Sequence, residues 1–343
     1  MVGQSTRAMT ILAGAALLAL PWSGSASAED YFAGKTITVE VPSGSGGTYH
    51  VYCQIVQNNL GRFIPGKPTM IIKNRPGAGG ALSASYMGNV APKDGTHIAM
   101  ISPGTITLPL MRKVDFDARK FNFLGSVAAR SSAVWIWHTK GVNNLKDLRN
   151  KPVKLASSGY AAAGSVFPRL INKVLKTKIQ LIYGYKGGGA MNVSIERGET
   201  EGRWNYRSGF TGVRPGWIKD RKIVPVLATG PRDPELKGVP HMRDMLKDGS
   251  LEAKMYDVIG MNFEIGQAFY APPGVKPEVV AILRTAFDKM VADPETRAMI
   301  EKRRIELSPK TAKEIDAEMK KGFGAASPDV IAGLRGIYLK KKK

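Results

Sequence analysis

The chain has 343 residues, more than one hydrophobic core usually serves, so two domains are the expectation. A hydrophobic content of 43% supports sizeable cores, and 23% charged with 8% aromatic residues is globular composition, which excludes a disordered basic tail or a collagen-like repeat. Lys and Arg number 50 against 28 Asp and Glu, for a formal charge of +22, and a single cysteine, Cys53, excludes an intramolecular disulfide and a cysteine-rich zinc site.

Arg7 is followed by an almost wholly apolar run from Ala8 to Leu20 and then by Ala26-Ser27-Ala28. That order predicts a secretory signal over residues 1–28, cleaved before Glu29, and a soluble, exported, periplasmic protein. A membrane anchor would need about 20 apolar residues, and Pro21, Ser23, Gly24 and Ser25 break the run too early. Removing the signal takes away only Arg7, so the remainder carries 49 − 28 = +21. That excess reads either as steering of anionic ligands or docking on an acidic partner, or as a solvated basic surface. Nucleic acid is not the expected partner, and Lys340 to Lys343 reads as a solvated tail.

Lys35 to Val41 predicts a strand, Pro42 to Gly47 a Gly/Ser turn, and Thr48 to Phe63 a helix with Tyr52, Ile55, Val56, Leu60 and Phe63 on one face. The unit recurs as strand Thr69–Lys73, loop Asn74–Gly80 and helix Ala81–Val90, followed by strand His97–Ser102. A second group begins near Ala133, with strands Val134–His138, Val153–Ala156 and Ile179–Tyr183 and a glycine loop, Gly184 to Gly189, before helix Ala190–Arg197. A short helix Leu145–Arg149, helix Ser165–Leu175 and strand Ile223–Ala228 complete that group, and Pro277–Asp293 and Ala312–Phe323 are amphipathic helices. Such alternation means α/β with largely parallel sheets.

In a strand-loop-helix unit the loop lies at the carboxyl end of the strand, and free N–H groups at the helix start bind anions. Gly44, Gly46 and Gly47 with Ser43, Ser45 and Thr48 form one such loop, Gly77, Gly79 and Gly80 a second, and Gly187, Gly188 and Gly189 a third. Taken singly, each is as readily a tight turn; together they point to a carboxylate or phosphate site. No Walker A loop, G-x-G-x-x-G, G-x-S-x-G or H-E-x-x-H is present, so nucleotide binding, serine-elbow hydrolysis and zinc peptidase chemistry have no motif to stand on. Cys53 reads as a buried filler. Arg203 and Arg207 read either as clamps on a carboxylate or as outward, solvated side chains.

Three segments, Gly34 to Gly47 (GKTITVEVPSGSGG), Asn74 to Gly80 (NRPGAGG) and Ala91 to Thr96 (APKDGT), resemble in order and spacing the solute receptors of tripartite tricarboxylate transporters, the Bug or TctC family. The likeness continues through Asp115–Asp117, Phe123–Ser126, Gly184–Gly189, Glu196–Glu199 and Tyr270–Gly274, and so spans the chain beyond the signal. The resemblance implies a two-lobed periplasmic binding protein fold of the Venus flytrap, type II-like kind, each lobe a mainly parallel sheet flanked by helices. It places residues 29–130 plus 263–343 in lobe one and 131–262 in lobe two, with ligand between them. It further implies a receptor rather than an enzyme, with no cofactor and no metal, a monomer that binds a mono-, di- or tricarboxylate, aliphatic or aromatic. Membrane permease subunits are the implied partner, or a signalling protein if the role is sensing.

Carried over by position, the ligand contacts of lobe one fall to Ser43, Gly46, Gly47, Thr48 and Tyr49 with Ala78 and Gly79, and to Ser102 and Thr105 as cleft wall. Those of lobe two fall to Ser158, Gly164 and Ser165, to Tyr185 and Gly188, and to Asn205. The family usually has Asp where this chain has His50, and the imidazole is expected to favour a second anionic group on the ligand. Tyr49 and the small segment Ala161-Ala162-Ala163 also depart from a citrate receptor.

Overall fold

A computed structural model describes residues 31–160 and 162–338. The signal at 1–28, the Lys340–Lys343 tail and Ala161 lie outside the described residues. In chain order the strands are β1 (Thr36–Val41), β2 (Thr69–Asn74), β3 (His97–Met100), β4 (Asn122–Ser126), β5 (Ser132–Trp137), β6 (Val153–Ala156) and β7 (Ile179–Ile182). They continue with β8 (Gly202–Tyr206), β9 (Ile223–Thr229), β10 (Ala268–Ala271) and β11 (Lys310–Thr311). Two sheets result, one of order β11-β4-β10-β3-β1-β2 and one of order β7-β6-β8-β5-β9. The chain therefore passes from the first sheet to the second between Ser126 and Ser132 and returns between Thr229 and Ala268.

Both sheets are mixed but mainly parallel, as the alternation of elements predicts: four of six strands in the first and four of five in the second run the same way. β1 is parallel to β2 and β3, and β6 is parallel to β7 and β8. The strand entered first after each crossing runs the other way: β5 is antiparallel to β8 and β9, and β10 to β3 and β4. A strand reached through a helix of its own lobe comes back in the same direction; β5 follows β4 with no helix between them, and β10 follows a helix, Leu251–Ile265, that leads in from the other sheet.

The helices flanking these sheets are α1 (Thr48–Asn59), α2 (Ala81–Asn89), α3 (Pro103–Met111), α4 (Leu145–Asn150), α5 (Ala163–Leu175) and α6 (Gly188–Glu196). Two short helices, α7 (Ser208–Thr211) and α8 (Pro215–Lys219), are followed by α9 (Leu251–Ile265), α10 (Pro277–Ala292), α11 (Pro294–Lys302), α12 (Ala312–Gly324) and α13 (Pro328–Tyr338). α1 buries Tyr52, Cys53, Ile55 and Val56 against β1 and ends at Asn59, with Leu60–Phe63 tightening into a 3-10 turn. Cys53 is fully buried, its sulfur 3.9 Å from that of Met100. Buried on the same side, Phe287 of α10 stacks near Phe269 and contributes about 1.5–3 kcal/mol by leaving water.

A second core runs through the crossings and joins the sheets, from Ile101 and Phe123 through Val134 and Trp204 to Phe263. The boundary drawn between residues 262 and 263 falls inside α9, which packs on α3, α12 and α13. Strand β8 escapes sequence pattern altogether: Gly202-Arg-Trp-Asn-Tyr206 has polar residues at alternate positions, yet all five are buried.

Candidate functional site

The carboxyl ends of β1, β2 and β3 face those of β6, β7 and β8 across a cleft of about 370 Å3. Ser43, Gly47, Thr48 and Tyr49 reach it from the loop between β1 and α1; Gly79 and Gly80 come from the turn before α2, and Ser102 from the start of α3. Across from them stand Ser158 and Gly164 around the start of α5, Tyr185, Lys186 and Gly188 around the start of α6, and Arg203 and Asn205 from β8. No Asp, Glu, His or Cys is among the described residues that line it.

Five helices, α1, α2, α3, α5 and α6, thus begin at the cleft, with N-cap residues Gly47, Gly80, Ser102, Ala162 and Gly187. None of the five has a side-chain cap or an acidic residue in its first turn. The other described helices of eight residues or more behave oppositely: α9 to α13 carry Glu252, Glu278, Glu295, Glu314 and Asp329 in their first turns. Ser250, Asp293 and Thr311 also cap three of those. A helix start bears roughly half a positive charge and four unbonded N–H groups, which acidic and capping side chains ordinarily answer. Where the helices meet the cleft, the protein leaves them unanswered.

The two sides touch at two seams. At the first, Gly44 N donates to Lys186 O at 2.9 Å, and a Cβ on Gly188 would lie 3.4 Å from Gly47 Cα and 3.1 Å from Arg203 Nη1. At the second, Gly79, with φ +70°, comes so close that a Cβ there would be 2.9 Å from Ala162 N. Only residues without side chains let the backbones approach in this way.

Between the seams the electrostatics are one-signed. Arg203 is 5% exposed and has no acidic partner among the described residues; its Nη1 donates to Gly188 O at 2.9 Å and Asn192 Oδ1 at 3.1 Å, and Nη2 donates to Asn205 Oδ1. Burial pulls its pKa down to about 10, so the guanidinium remains charged at neutral pH. Arg130, 1% exposed, lies behind Tyr49 and Tyr206, its guanidinium carbon 5.7 and 5.1 Å from their ring centres. Its Nη2 donates to Ile101 O at 3.2 Å. Arg207, by contrast, is ion-paired with Asp233 at 2.5 Å, which also accepts from Ser131. Neither Arg203 nor Arg207 is a solvated outward side chain, and only the first faces the cleft.

Among the residues carried over by position, Ser43, Gly47, Thr48, Tyr49, Gly79, Ser102, Ser158, Gly164, Tyr185, Gly188 and Asn205 line the cleft; Gly46, His50, Ala78, Thr105 and Ser165 do not. Gly46 and Ala78 are exposed. Thr105 Oγ1 donates to Ser102 O at 2.5 Å, and Ser165 Oγ donates to Gly159 O at 2.7 Å, so both brace loops that reach the cleft. His50 turns to Asn74, whose Nδ2 lies 3.3 Å from His50 Nδ1 and donates to Ser43 O at 2.8 Å. Facing a donor, and with its pKa lowered by burial, the imidazole is neutral at pH 7 and accepts. The sequence leaves Arg203 open between cleft and solvent and does not single out Lys186; a basic residue beside Trp204 or Gly187 carries no periodic signal of its own.

Two mixed α/β lobes joined by two crossings, with a cleft at helix starts between them, define the two-lobed periplasmic binding protein fold. The model of the family described as "Tripartite tricarboxylate transporter family receptor" matches residues 53–199 of this chain. A Cupriavidus necator protein, "UPF0065 protein in gbd 5'region", is 22% identical over 302 residues, covering 85% of each chain. Among solved structures, the periplasmic binding protein BugD superposes with a TM-score of 0.71 at 18% identity, over 90% of this chain and 99% of its own. The R. palustris protein Rpa4515 with adipate gives 0.66 at 18% identity, over 88% and 97%.

Proposed function

We propose that this protein is an exported periplasmic receptor that captures a small organic carboxylate in the cleft and delivers it to the membrane subunits of a tripartite tricarboxylate-type transporter. The observation that carries the reading is the set of five helix starts with neither cap nor acid, all opening on one cleft that also holds a buried, acid-free Arg203. Partial charges and N–H groups left unanswered at that many helix starts favour an anion supplied from outside. The match of residues 53–199 to the receptor family's model and the adipate held by a similarly folded protein support a carboxylate as that anion.

In this reading Ser43, Thr48, Gly79 and Ser102 hold the ligand from lobe one, and Ser158, Tyr185, Gly188, Asn205 and Arg203 from lobe two. Gly46, His50, Ala78, Thr105 and Ser165 keep those loops in place. Lobe one comprises residues up to about 130 together with the C-terminal part from about 263, and lobe two those between; α9, which spans the second boundary, moves with lobe one because it packs on α3, α12 and α13. Ligand bridging both lobes binds the closed arrangement better than the open one, and closure follows as a population shift. The protein acts as a monomer and returns its ligand unchanged.

The test is a thermal-shift screen of the purified protein against mono-, di- and tricarboxylates, aliphatic and aromatic, with sugars and amino acids as controls. Ligand at about 100 times its dissociation constant adds roughly 2.7 kcal/mol and raises the melting temperature by several degrees. A carboxylate hit recovered intact supports the receptor; chemical conversion of the hit, or silence across all carboxylates with a hit elsewhere, refutes it.

A further inference from the structure

Resting on the carboxylate-receptor reading, the geometry points to Arg203 as the residue that selects ligands carrying a second anionic group. Each seam of the cleft joins helix starts from opposite sheets: α1 and α6 meet through Gly47 and Gly188, and the turn before α2 meets the start of α5 through Gly79 and Ala162. Both ends offer backbone N–H groups to an anion, but among the described residues that line the cleft the guanidinium is at the first end, with Arg203 Nη1 bonded to Gly188 O. A monoanion satisfies one end. A ligand with an anionic group at each end satisfies both, and the end at Arg203 is the one that discriminates by full charge.

The hydrogen bonds left over around Arg203 specify what that group must be. A guanidinium has five N–H donors, of which three are used, by Gly188 O, Asn192 Oδ1 and Asn205 Oδ1. Among the described residues Nε has no partner, and neither has the amide nitrogen of Asn192 or Asn205, whose oxygens are already turned to the guanidinium. All three leftover atoms are donors. Arg203 and Asn205 are 5% and 3% exposed and both line the cleft, so these donors are held in a dry wall rather than in bulk water. The acceptors already present are neutral, which leaves the charge uncompensated. A carboxylate accepts from several donors at once and supplies the missing charge, and a guanidinium matches it with two parallel bonds where an ammonium offers a point charge.

The experiment is calorimetric titration of wild type, Arg203→Gln and Arg203→Lys with length-matched pairs, adipate against hexanoate and succinate against butyrate. Wild type should prefer at least one diacid over its monoacid by tenfold or more. Arg203→Gln should reduce that ratio to within about threefold while monoacid binding falls far less, and Arg203→Lys should leave an intermediate ratio. Melting of the unliganded variants checks folding; if Arg203→Gln does not fold, the charge-retaining Lys variant supplies the comparison. A wild-type ratio near one, or a ratio that survives Arg203→Gln or is undiminished in Arg203→Lys, overturns the assignment but leaves the carboxylate receptor standing. Absence of binding to diacids and monoacids alike, with a non-carboxylate hit in the screen, removes the receptor reading itself.

Discussion

At the scale of single residues, the seam glycines have the sharpest consequences. Gly79 has φ +70° and faces Ala162 so closely that a methyl group must push the two sides apart. Gly79→Ala adds left-handed strain of about 1–2 kcal/mol and a wedge at the point of closure. The expected outcome is a folded protein with a melting temperature a few degrees lower and carboxylate affinity reduced tenfold or more, read by circular dichroism melting and by calorimetry. Unchanged affinity would mean that closure does not bring Gly79 to Ala162. The residues that brace the cleft are a separate class: Thr105 and Ser165 spend their hydroxyls on loop carbonyls and have no cleft-facing role to lose.

At the scale of elements, helix starts divide by destination. The five at the cleft lack acids and side-chain caps, whereas α9 to α13 carry acids in their first turns. Stability has been forgone where an anion is to bind. His50, in the first turn of α1, allows a direct test, because it does not line the cleft. His50→Asp should stabilise α1 by about 0.3–1 kcal/mol through the helix dipole, raising the melting temperature by about 1–3 °C, while carboxylate affinity falls several-fold. His50→Asn removes the ring without adding charge and should leave affinity near wild type. Equal effects of the two variants would trace the change to the Asn74 contact and not to charge.

At the scale of the whole molecule, a formal charge of +22 surrounds a cleft whose lining contains no Asp or Glu among the described residues. Such a field raises the encounter rate of small anions and is screened over about 10 Å at 0.1 M salt. The association rate of adipate, followed by stopped-flow fluorescence, should fall several-fold between 10 mM and 0.5 M salt, with dissociation much less affected. An association rate indifferent to salt would reduce the basic excess to a solvated surface. The two crossings and the core that runs through them from Ile101 to Phe263 link the lobes on the side where α9 packs.

The sequence by itself determined what local chemistry controls: apolar periodicity marks β1 and α1, and runs of small residues mark the loops that open α1, α2, α5 and α6. Ser43, Thr48, Gly79, Ser158 and Gly188, named through the family resemblance, lie in or beside those loops and line the cleft. Only the tertiary structure decided the rest. β8 reads as polar until Asn192, Asn205 and the carbonyl of Gly188 gather round Arg203, and no local pattern encodes that enclosure. The reversed direction of β5 and β10 likewise depends on which lobe the chain has just left. Convergence of five helix starts, and the burial of a charge among them, are long-range packing outcomes: each partner is ordinary alone, and their meeting in one dry cleft makes the anion site.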